Sequence, residues 1–64
     1  MTKLNTKPNI DGADDFYASL LDAHEGLSKS QSDALAARLT LILANHIGDR
    51  KILDQAIAAA KAAG

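Results

Sequence analysis

Two histidines, His24 and His46, stand near Asp22, Glu25 and Asp49, and in a chain without cysteine these are the residues a metal site would draw on. Their spacing argues against such a site. If one helix joins them, roughly 18 residues at 1.5 Å each put the histidines about 27 Å apart. Only an antiparallel dimer would bring His24 of one copy to His46 of another. The preferred reading is that each closes a helix, where an imidazole can bond free carbonyls and, when charged, suits the negative end of the dipole.

Arg50 and Lys51 are a second candidate. Two cations in the first turn of a helix sit against its positive end, and together with Asn45 and His46 they form a candidate polar or anion contact of the kind helix N-termini make with carboxylate or phosphate. The plainer account is that Asp49 neutralises this end and the long side chains lie in water. His46 falls on the line of Leu35, Leu39 and Ile42, where another leucine is expected. If buried there it needs a partner, either a backbone carbonyl or Asn45 locally, or another molecule. Asp14 and Asp15 diverge by about 100° on a helix and cannot face one substrate. Ser28, Ser30 and Ser32 have no neighbouring base, and no glycine-rich phosphate loop is present. No catalytic residue, cofactor or metal is therefore assigned, and no enzyme is expected.

The elements that position these residues are punctuated clearly. Residues 1–10 are polar, carry Pro8 and show no periodicity, which predicts a mobile or extended arm that Leu4 and Ile10 can anchor. Asp11 is the expected cap of helix 1, about 13–25, whose inward face combines the line Phe16, Leu20, Ala23 with the line Tyr17, Leu21, His24. Gly26 is its left-handed stop, with Leu27 folding back on Leu21. Ser28 and Gln31 spell a capping box, so helix 2 begins at Lys29 and runs to Ile47, where Gly48 stops it and Asp49 caps helix 3, about 50–62. Helix 3 shows a stripe of Leu53, Ala56, Ala60 and Ala63 flanked by Ile52 and Ile57, with Asp54, Gln55 and Lys61 outside. Its last turn, rich in alanine, needs a partner to cover it.

Helix 2 is the only segment apolar enough to want burial on two sides. Leu35, Leu39 and Ile42, widened by Leu43 and Ile47, form a seam for its own chain, while Ala34, Ala37, Leu41 and Ala44 form a largely opposite seam of small residues. The second seam is the expected partner interface. Sixty-four residues make one domain, residues 11–64 after the arm, at a size where a single core is barely sufficient. Without cysteine to staple it, oligomerisation is the expected substitute. A net charge of -1 from interspersed residues and only two aromatics give neither a basic field nor a stacking platform, so nucleic acid is not an expected partner. Met-Thr-Lys-Leu-Asn-Thr-Lys-Pro lacks the apolar run of a signal peptide and no window reads as a membrane span, which predicts a cytoplasmic protein.

The strings Asp15-Phe16-Tyr17-Ala18, Ala23-His24-Glu25-Gly26-Leu27-Ser28 and Leu43-Ala44-Asn45-His46-Ile47-Gly48-Asp49-Arg50 resemble a family of short proteobacterial proteins that carries a domain-of-unknown-function label. The likeness covers roughly Pro8 to Ile57, with Ala-Asn-His-Ile-Gly-Asp-Arg as its most specific motif. It departs at Gly12 and Ala13, which replace a more Pro-rich approach to helix 1. The resemblance implies no activity. It implies a genetic setting beside flavin-dependent aromatic-ring hydroxylases, and hence an accessory role.

Together these readings predict an all-α, three-helix domain centred on helix 2, a homodimer or small subunit of a larger complex that acts by interaction. One alternative is a helix-turn-helix regulator with helix 3 as reader and Arg50, Lys51 and Lys61 on phosphates, against which the low basic charge argues. Another is a small-molecule module using His46 and Arg50.

Overall fold

The computed structural model describes residues 3–63 and places three helices in them: α1 (Ala13–His24), α2 (Lys29–Ile47) and α3 (Arg50–Ala63), with no strand among the described residues. The bounds of α2 follow from chemistry at its ends. Ser28 Oγ accepts the Gln31 amide at 3.2 Å while Gln31 Oε1 accepts the Ser28 amide at 3.0 Å, closing the capping box. At the other end Gly48 takes the left-handed conformation, φ 74°, and its amide donates to Ala44 O at 2.8 Å. Asp49 then caps α3, its Oδ1 accepting the amides of Lys51 and Ile52.

The approach to α1 differs from the sequence reading. Gly12, not Asp11, is the N-cap, in a left-handed conformation that leaves the first turn without a side-chain cap. Asp11 and Gly12 make a turn instead, and Asp14 and Asp15 alone supply negative charge to that helix end. Helix α1 also stops at His24, one residue earlier than expected, because the Glu25 amide turns back to Asp22 O and the Leu27 amide to His24 O.

Helices α1 and α3 pack on different flanks of α2. Phe16, Leu20 and Ala23 of α1 face Leu35, Leu39 and Ile42, whereas Leu53, Ala56 and Ile57 of α3 face Leu43, Ala44 and Ile47. Leu39 and Ala44 are about 140° apart around α2, so the two flanks do not merge into one core. Of the helix pairs, α2 and α3 make the more extensive contact. Among the described residues none is buried, and the most covered side chains, Leu20, Leu35, Leu39, Ala44, Leu53 and Ala56 among them, are only half-buried. The chain is correspondingly extended, 42 × 25 × 24 Å with a radius of gyration of 13.4 Å, where a compact chain of this length has about 11 Å.

Ahead of α1 the chain reaches back to α3. The Leu4 amide donates to Gln55 Oε1 at 3.0 Å and Leu4 is half-buried, while Ile10 stays exposed. Gln55, expected to face outward, is half-buried by this contact.

Candidate interaction surface

The lengths of the helices decide which apolar residues stay open. At 1.5 Å per residue α1 is about 18 Å long and α2 about 28 Å, so the last turns of α2 project past the helix that pairs with its leucine seam. Ile42, which lies on the α1 flank with Phe16, is 64% exposed even so. His46, one turn further on, is exposed and makes no hydrogen bond, neither to Asn45 nor to a backbone carbonyl. The local partner foreseen for a buried His46 is unnecessary, because water solvates it. The second line of α1 is open too: Tyr17 and Leu21, read as inward, remain mostly exposed, since only the Phe16 line meets α2.

His24 makes the contact that fastens α1 to α2. Its Nδ1 lies 2.9 Å from Ser32 Oγ, in the first turn of α2. The bond runs between helices, not to the free carbonyls of its own helix end. The signal in the sequence is the eight-residue spacing across a four-residue turn, which brings the last turn of one helix beside the first of the next.

The four residues of the polar candidate, Asn45, His46, Arg50 and Lys51, are all exposed around the α2–α3 turn. Of the four, Arg50 has a side-chain partner among the described residues. Arg50 Nε donates to Asp54 Oδ1 at 2.9 Å, and this hydrogen bond, followed by the carboxylate's charge, raises the guanidinium pKa above its ordinary value. The Lys51 and Ile52 amides, which an anion at this helix end would take, are given to Asp49. Among the described residues no three His, Cys, Asp or Glu side chains come together.

The α2/α3 flank holds an apolar groove of about 520 Å³. Ala44, Leu53 and Ala56 form its half-buried floor, and Leu41, Ile47 and Ile57 stand exposed at its rim. The partner seam read from the sequence thus divides. Ala44 lies on the groove floor and Leu41 at its rim, Ala37 is exposed, and Ala34 is half-buried beside Leu27 and Leu35 at the start of α2. Leu43, Ile47, Leu53 and Ile57 complete the groove and were not assigned to the interface from sequence. A period-3.6 pattern names faces of one helix but does not say on which side its neighbour sits.

The family model described as a protein of unknown function, DUF2783, matches residues 4–62. The chain belongs to this family. The DUF2783 match is wider than the resemblance read from the motifs, and it takes in Leu4 and Gln55 as well as the three helices, so the arm contact lies within the family unit. No curated protein and no solved structure matches this DUF2783 chain. No helix in the described residues is long and apolar enough to cross a membrane.

Proposed function

We propose that this chain is a small helical interaction or accessory subunit, acting by contact and not by catalysis, whose apolar surface is completed by another protein. One observation carries the reading. The accessible area is 5701 Å², whereas a compact protein of 6.7 kDa exposes about 3,900 Å². An excess on the order of 1,800 Å² over the whole chain, together with exposed Leu41, Ile42, Ile47 and Ile57, supports a surface that a protein partner completes. The resemblance to proteins set beside flavin-dependent aromatic-ring hydroxylases supplies the heterologous partner to assay.

Mass action tests it. Anything that binds the folded state raises its melting temperature with concentration, so the Tm of the chain by circular dichroism is expected to climb as either the chain itself or the hydroxylase is added. A sharp transition at a Tm independent of chain concentration and of added hydroxylase overturns the reading, because such a monomer needs no other surface.

A further inference from the structure

We propose that the α2/α3 groove seats a second copy of this chain, the two grooves interlocking about a two-fold axis so that α2 and α3 of both copies close an antiparallel four-helix pack. This rests on the interaction reading above and names its partner. The area fits. An obligate dimer buries roughly 2,000–5,000 Å² in total, and the excess on the order of 1,800 Å² over the whole chain is large enough to supply one partner's share. A small ligand filling a groove of about 520 Å³ covers far less.

Charge fits as well. Arg50 and Asp54, the charged residues on the groove wall, neutralise each other at 2.9 Å. The groove therefore offers nothing to a strongly acidic or basic partner, and two copies meet across it without like-charge repulsion. Shape supplies the third argument. A two-fold interface requires one patch to provide both the knob and the hole. Leu41, 70% exposed, and Ile57, 60% exposed, are knobs, and the half-buried floor of Ala44 and Ala56, with its small side chains, is a hole. Ala37, exposed one turn before Leu41, allows the two α2 backbones to approach closely. Leu4 does not compete for the site, because it bonds Gln55, which lies two residues from Ile57 and so on the opposite side of α3.

Sedimentation equilibrium of the full chain at micromolar concentration, paired with circular dichroism, tests this. The expected mass is twice 6.7 kDa. Leu41→Glu, which removes nothing the single chain packs upon, is expected to weaken the dimer by about 100-fold or more, since it places an unpaired charge in the interface. Ile42→Glu, equally exposed but on the α1 flank, is expected to leave the dissociation constant within about threefold. A dimer that Ile42→Glu dissociates and Leu41→Glu spares overturns the proposal by locating the contact on the other flank. A chain that is monomeric and melts without cooperativity alone, but gains a sharp transition with the hydroxylase, overturns the second copy and leaves the interaction reading standing. A monomer with a sharp, concentration-independent transition overturns both.

Discussion

The two flanks of α2 are built on different principles. On the α1 flank the turn is four residues long, and the helices are fastened by a directional polar bond, the His24–Ser32 contact, with Phe16 and Leu20 set loosely against Leu35 and Leu39. On the α3 flank the turn is two residues, Gly48 and Asp49, and small side chains let the helices make the more extensive contact. No side-chain bond crosses the α2/α3 groove among the described residues. Polar fastening fixes a helix pair without filling it, whereas the tight turn leaves a wedge of exposed apolar surface between α2 and α3. The α1 flank thus carries the side-chain bond, and the α3 flank the apolar groove at which the proposed partner is expected to bind.

Substitutions at fixed protein concentration can break or sharpen this contrast. The largest effect is expected at Gly48→Val. A β-branched residue at φ 74° costs about 2 kcal/mol, and a two-residue turn has no slack to relax it. Gly26→Val meets the same φ but sits in the longer turn, so its urea midpoint is expected to fall less. Equal losses would show that turn length does not distinguish the flanks. Next comes Ser28→Ala, which removes the hydroxyl that accepts the Gln31 amide while leaving the Ser28 amide free to donate to Gln31 Oε1, and is expected to cost about 1 kcal/mol in urea unfolding.

Ser32→Ala is expected to cost about 0.5–1 kcal/mol, and its effect should be local. Amide exchange in α1 should quicken while α3 is unchanged. Uniform quickening in both helices would mean that the His24 contact holds the whole domain and not one flank. The smallest effect is expected at Arg50→Ala. The Arg50–Asp54 pair is solvent-exposed, and such pairs contribute little after screening, so the Tm is expected to stay within measurement error. A clear drop would give the groove wall an electrostatic role.

Helix bounds were legible wherever the stop and start chemistry was local. The capping box, Gly48 and Asp49 each act within four residues, and α2 begins and ends where they say. The start of α1 was less legible, because Asp11 and Gly12 can each precede a helix, and the glycine's left-handed conformation decides between them only once the chain is folded. The placement of faces was legible by half. The leucine seam does meet α1 through Leu35, Leu39 and Ile42, but its widening residues Leu43 and Ile47 lie with Ala44 beside α3, which is a matter of the turn at Gly48 and not of any pattern in α2. Gln55 was least legible of all. Its partner is a backbone amide 51 positions away, and no side-chain periodicity encodes such a contact.

The Leu4–Gln55 hydrogen bond also bears on the order of events in folding. The helices and their short turns require only near neighbours, and contacts of that range form in microseconds to milliseconds. Joining Leu4 to Gln55 closes nearly the entire chain into a loop, and one neutral hydrogen bond contributes only about 1 kcal/mol against that entropy. The N-terminal segment therefore docks last and detaches first, a latch that reports on whether α3 is already formed.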